Sequence, residues 1–115
     1  MILCRDTEKG KKVSEEIICQ LPACDVVIYH CDLSSLSSVR QCAQEVLKNE
    51  PRIDILINNA GIACVPQSKS EDGYEKQFAT NHLGHFLLTL LLLDRIKQST
   101  PSRIINVSSI VHYCK

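Results

Sequence analysis

The stretch Ile53-Asp54-Ile55-Leu56-Ile57-Asn58-Asn59-Ala60-Gly61 decides the fold. Its first five residues, Ile53–Ile57, form a short, nearly continuous apolar run rich in β-branched side chains. Strands that are buried on both faces read this way, and such strands belong to parallel sheets. The run ends on two amides and two small residues. The asparagines can tie neighbouring strand ends together through side-chain hydrogen bonds. Ala60 and Gly61 leave room for a bulky group to lie against the backbone.

Outward from this strand, apolar runs and helical stripes alternate. Met1–Cys4 is a short apolar strand. Thr7–Leu21 carries Val13, Ile17, Ile18 and Leu21 at helical spacing and stops at Pro22. Asp25–Cys31 is a β-branched run of strand length. Ser34–Asn49 has Leu36, Val39, Ala43, Val46 and Leu47 on one helical stripe, with Ser34 placed to cap it. Asn58–Lys69 is loop. Ser68-Lys69-Ser70-Glu71 has the form of a capping box and predicts a long helix over about Glu71–Lys97. Arg103–Val107 is the last strand. The order β-α-β-α-β-α-β predicts an α/β chain with a parallel, doubly wound sheet.

Composition excludes several classes of function. The 115 residues carry 13 Lys+Arg against 13 Asp+Glu, so there is no electrostatic footprint for nucleic acid. Hydrophobic residues make up 44%, which is too many for a disordered chain. Phe86–Leu93 is the most apolar run. As a helix it spans about 12 Å, against about 30 Å of bilayer hydrocarbon, and it reads as a buried helix. The first residues lack the pattern of a secretory signal. The seven cysteines are irregularly spaced with no C-x-x-C, which predicts reduced thiols in an intracellular protein. His82 and His85 lie three apart, but no ligand stands at partner spacing, and no metal site is expected.

Ligands of open α/β sheets bind outside the carboxyl ends of the strands. The four strand exits are Arg5-Asp6, Asp32-Leu33, Asn58-Asn59-Ala60-Gly61 and Ser108-Ser109, all polar or small. Together with Asn81-His82-Leu83-Gly84-His85-Phe86 and Asn106-Val107-Ser108-Ser109, they resemble the short-chain dehydrogenase/reductase family. The retinol dehydrogenase-like branch is the most similar. The resemblance runs along the whole chain.

The resemblance implies a Rossmann-like, NAD(P)-binding domain. It also implies hydride transfer between NADP(H) and a hydrophobic alcohol or aldehyde such as retinol or retinal. Arg5 would accommodate the 2′-phosphate, which favours NADP over NAD; otherwise it is an exposed arginine at a helix entry. Asp32 would contact the adenine, or else it only starts the next helix. Asn59, Ala60 and Gly61 would pack against the cofactor ribose. Asn81 would interrupt the long helix and hold a water of the proton relay, the alternative being a plain mid-helix asparagine. Ser109, rather than Ser108, would bond the substrate oxygen, since successive residues leaving a strand face opposite ways. The family's tyrosine passes the proton, and a lysine keeps that tyrosine acidic.

Two family features have no counterpart in the 115 residues. The glycine-rich turn that seats the pyrophosphate would precede Met1, and a Tyr-x-x-x-Lys pair would follow Ser109. Tyr113-Cys114-Lys115 has the wrong spacing to serve as that pair. Residues 1–115 are therefore expected to be an incomplete NAD(P)-binding domain whose central first strand is missing. The expected consequences are unpaired edges, an uncovered apolar slot and a chain that does not reduce retinal by itself. The alternative function is a non-catalytic piece with weak or no nucleotide binding. The family also pairs through its long helix, so a homodimer through residues 71–97 is expected. A core-facing stripe explains the leucines of that helix equally well. Membrane association is expected only through regions outside these residues, in a cytoplasmic or organelle-membrane setting.

Overall fold

The computed structural model describes residues 1–110. Strand β1 (Ile2–Cys4) leads to helix α1 (Thr7–Gln20), strand β2 (Ile28–His30), helix α2 (Leu36–Asn49) and strand β3 (Ile55–Asn58). A short helix α3 (Lys76–Phe78), a π-helical turn (Ala79–Leu83) and helix α4 (Gly84–Gln98) follow, and strand β4 (Arg103–Asn106) closes the order. The alternation is the one that the periodicity predicts.

All pairing is parallel, but it falls into two separate pairs. β1 lies beside β2 with Leu3 opposite Tyr29, and β3 lies beside β4 with Leu56 opposite Ile104. Among the described residues no strand joins β1 to β3. A cavity of about 340 Å³ occupies that gap, lined by Met1–Leu3 on one side and Ile55–Asn58 on the other. Ile55 and Ile57 are 54% and 57% exposed, far from the burial expected of a central strand. The slot expected between these two edges is thus present.

One core holds the two pairs together. It packs Val39, Cys42, Ala43 and Val46 of α2 against Leu88, Leu92 and Ile96 of α4, with Tyr29, Cys31, Ile53 and Leu56 beneath. The stripe read for α2 is the buried one, with Leu36 and Leu47 half-buried at its rim. On α4, Gly84, Leu88, Leu92 and Ile96 recur every fourth residue and face α2. Arg95 fastens the far end by donating to the carbonyls of Glu50 and Leu47, which terminate α2. Ser99, at the end of α4, accepts from the Ile53 amide at 2.9 Å and so sets where β3 begins.

Three local expectations differ from the structure. Ser35, not Ser34, caps α2 by accepting from the Ser38 amide at 3.2 Å, because Ser34 is committed to Asp32. Ser68–Glu71 does not open a helix. The Glu71 carboxylate instead accepts from Ser35 and Ser37, and Asp72 accepts from the Leu36 amide at 2.9 Å. Both acidic groups thereby sit at the N-terminus of α2, where the helix dipole favours them. The chain turns at Gly73 (φ 85°), and Glu75 caps the helix from Lys76 onward. Finally, the apolar stripe of α1 is largely uncovered: Val13, Ile18 and Leu21 are exposed and Ile17 is half-buried, while Gly10 and Ser14 are buried. A two-stranded sheet is too narrow to cover more than that line.

Candidate functional site

The carboxyl ends of the strands carry the candidate residues, and the fold sorts them into two groups. The first lies at the ends of β1 and β2. The Cys31 amide donates to the Cys4 carbonyl at 2.9 Å, which draws the two strand exits together. Arg5 and Asp32 therefore stand as neighbours. Burial pushes the Asp32 carboxyl upward. The Ser34 hydroxyl and amide, at 2.7 and 2.9 Å from Oδ1, together with the charges of Arg5 and His30, outweigh it and hold the group below the usual carboxylate range. Asp32 Oδ1 organises the turn into α2.

The second group lies at the ends of β3 and β4. Asn58 Nδ2 donates to Asn106 Oδ1 at 2.8 Å and to Thr89 Oγ1 at 3.0 Å. The amide thus ties both strands to α4, which is the cross-link expected of the paired asparagines. Asn58 is 6% exposed, and its Oδ1 has no partner among the described residues. Asn59, Ala60 and Gly61 follow it on the surface, and Asn59 and Ala60 edge the slot.

Asn81 sits in the middle of the π-helical turn, so the helix is interrupted where expected. Its side chain reaches the loop after β3. Oδ1 accepts from the Ile62 amide at 2.8 Å, and Nδ2 donates to the Ile62 carbonyl at 2.8 Å. This paired bond pins the loop after β3 against the turn. A Cβ on Gly61 would lie 3.6 Å from Asn81 Oδ1, an ordinary contact, so the glycine is not demanded by crowding. His85 Nδ1 meets the Asn81 backbone carbonyl oxygen at 3.1 Å.

A cavity of about 380 Å³ opens beside these groups. Asn58, Asn81, His85, Thr89, Asn106 and Ser108 give it a polar wall, while Phe86 and Val107 give it an apolar one. Ser108 faces this space. Ser109 is exposed one residue further on and makes a polar contact of its own. Gly84 holds the turn in place, because a Cβ there would fall 2.9 Å from Leu33 Cβ and closer still to the Leu33 carbonyl oxygen. Residues 111–115, including Tyr113 and Lys115, lie outside the described residues.

Three participants are not visible in the motifs: Ile62 as the partner of Asn81, Thr89 as a ligand of Asn58, and His85 on the Asn81 carbonyl. The i,i+4 spacing of Asn81 and His85 is the one signal that could have found the last. Among the described residues no helix is long and apolar enough to cross a membrane, and no group of three His, Cys, Asp or Glu side chains is placed to hold a metal ion.

The family model for short chain dehydrogenases matches residues 1–113. Human retinol dehydrogenase 13 is 50% identical over 112 residues, which cover 97% of this chain and 34% of that protein. Mouse retinol dehydrogenase 12 is 48% identical over 111 residues, covering 96% and 35%. Among solved structures, a metagenomic short-chain oxidoreductase in complex with NADP superposes with a TM-score of 0.80 at 26% identity, covering 98% of this chain and 52% of that one. RhlG of Pseudomonas aeruginosa, also an NADP complex, gives 0.78 at 29%, covering 96% and 44%. The chain spans about a third of the length of the curated relatives it matches. From the strand exits, the interrupted helix and a family model that matches nearly every residue, the chain belongs to the short-chain dehydrogenase family.

Proposed function

We propose that these residues serve hydride transfer between NADP(H) and a hydrophobic alcohol or aldehyde of the retinol/retinal kind. The observation that carries this reading is the Asn81 turn, locked to the loop after β3 beside a cavity that is polar on one wall and apolar on the other. A nicotinamide cofactor, when bound, supplies or accepts the hydride. Arg5 would bond the 2′-phosphate, and Asp32 Oδ2 the adenine. The exposed small residues Asn59, Ala60 and Gly61 leave the backbone open to a ribose. Ser109 would donate to the substrate oxygen, and the Asn81 carbonyl would orient the water of the proton path.

A second reading has its own support. Among the described residues no tyrosine lines the cavity. Tyr29 donates to Glu50 at 2.8 Å, and Tyr74 lies in the turn before α3. On this reading the 115 residues bind nucleotide weakly or not at all and turn nothing over.

Titration with NADPH and NADH, followed by retinal reduction, separates the two. An Arg–phosphate contact predicts about tenfold or more in favour of NADPH, abolished in Arg5→Ala. Turnover that falls about tenfold or more in Ser109→Ala supports the enzyme. Saturable NADPH binding without turnover supports the second reading. Equal affinity for the two cofactors overturns the role of Arg5, and no binding at all overturns the hydride-transfer reading and agrees with the second.

Pairing of two copies through the long helix is also proposed. Phe86 and Leu90 support it, being 56% and 51% exposed on the face turned away from α2. Leu90→Glu is expected to leave the fold intact and to shift sedimentation from dimer to monomer. An unchanged dimer would exclude this face.

A further inference from the structure

Two thiols of the core belong to neither reading of the function. Cys31 and Cys42 are 4% and 1% exposed and sit in one buried cluster. Two hydrogen bonds set them opposite each other. The Tyr29 hydroxyl donates to Glu50 at 2.8 Å, so that face of β2 lies under the C-terminal end of α2. The Asp32 amide donates to Ser38 Oγ at 2.9 Å, near the start of the same helix. Cys31 shares the face of Tyr29, two residues before it. Cys42 lies between Ser38 and Glu50, one turn after Ser38 on the buried stripe of α2. The Cys4 thiol faces the other way, toward α1: a Cβ built on Gly10 would meet its Sγ at 2.7 Å and Ile28 Cγ2 at 3.4 Å. The two core thiols are not equivalent. Cys31 lines the slot between β1 and β3, and Cys42 does not. The Cys42 thiol donates to the Cys31 sulfur, which outweighs burial and the Asp32 charge and holds Cys31 below the usual thiol range. The same bond, with burial, pushes Cys42 up. Thiolate character thus favours Cys31 as the nucleophile.

We propose that Cys31 and Cys42 are a redox pair: a peroxide entering the slot oxidises Cys31, and Cys42 closes a disulfide that ties the exit of β2 to the middle of α2. The Cys31 sulfur attacks one peroxide oxygen and keeps it as a sulfenic acid. The O–O bond breaks, and the other oxygen leaves with the thiol's proton as water. The Cys42 sulfur then attacks the Cys31 sulfur. The S–O bond breaks, and the hydroxyl leaves with the Cys42 proton as a second water. The two thiols are oxidised by two electrons, and the peroxide takes them up. Asp32 directly follows Cys31, so the bond fastens the strand exit that carries it.

The test uses the full chain carrying Cys19→Ser, Cys24→Ser, Cys64→Ser and Cys114→Ser, which keeps Cys4 as the internal competitor. Hydrogen peroxide is added, the remaining thiols are alkylated, and the digest is read by mass spectrometry. The expected product is a Cys31–Cys42 cross-link, lighter by two hydrogens, with Cys4 alkylated. In Cys42→Ala, dimedone is expected to trap a sulfenic acid on Cys31. In Cys31→Ala, Cys42 is expected to remain a thiol. The cross-linked chain is expected to unfold at a higher urea concentration than the reduced one, because the bond closes a loop that the fold already holds closed, and dithiothreitol is expected to undo the shift. A Cys4–Cys31 bond, no bond at all, or a sulfenic acid on Cys42 in place of Cys31 overturns the proposal. So does a cross-linked chain less stable than the reduced one. The cross-link is read with both core thiols present, so it does not depend on either alanine variant folding. None of these readings involves a nucleotide, so a failed NADPH titration would leave them standing.

Discussion

Gly84→Ala is expected to destabilise the chain by about 2 kcal/mol, although alanine is the better helix former. Gly84 has ordinary helical angles (φ −61°, ψ −47°), so its conformation does not require glycine. By propensity alone the change should stabilise α4 by about 1 kcal/mol. Packing reverses the sign. The new Cβ would sit 2.9 Å from Leu33 Cβ, 3.0 Å from the Leu33 carbonyl carbon and nearer still to its oxygen. Backbone cannot rotate away as a side chain can, so α4 or the β2–α2 connection must shift, at the upper end of overpacking costs. Gly10→Ala is the internal control. There the Cβ would meet Cys4 Sγ at 2.7 Å, and a thiol can change rotamer. Its expected net effect is within about 1 kcal/mol of zero. Urea denaturation of both variants measures the contrast. A Gly84→Ala chain as stable as the parent would mean that α4 does not rest on Leu33. The change also tests the site, because the turn that presents Asn81 and His85 ends on Gly84.

The contrast between these glycines shows what a sequence can and cannot reveal here. The alternation of strands and helices was legible because burial imposes periods of 2 and 3.6 on the chain itself. The α2 stripe was legible for the same reason, and so was the cross-link through Asn58. What escaped depends on partners distant in the chain. Ser68 and Glu71 have the local form of a capping box, yet Glu71 turns to Ser35 and Ser37, more than thirty residues earlier. The α1 stripe was read correctly as apolar, but its burial depends on the width of the sheet it meets. Asn81 could be recognised as a special position from its motif. Its bond to Ile62 depends on the frame of the π-helical turn, which no local pattern encodes.

Leu92→Ala is expected to cost about 3 kcal/mol, within the usual range for a buried leucine. Leu92 is 1% exposed and is the largest of the fully buried side chains. It lies in the middle of the α4 stripe and also borders the slot beside β3. Truncation therefore removes contacts to α2 and widens a space of about 340 Å³ that the neighbouring side chains already leave open. Little is available to collapse into it, which is the condition under which the cavity contribution is felt in full. Leu90→Ala, two residues away on the exposed face, should change stability by less than about 0.5 kcal/mol. The pair separates core packing from helix propensity, since both replace leucine by alanine in one helix. If Leu92→Ala lost less than about 1 kcal/mol, α4 would have to settle toward α2 and fill the gap. The consequence would reach the site: Asn58 bonds Thr89 on the same helix, so a settled α4 would pull the amide off Asn106 and break the side-chain tie at the ends of β3 and β4.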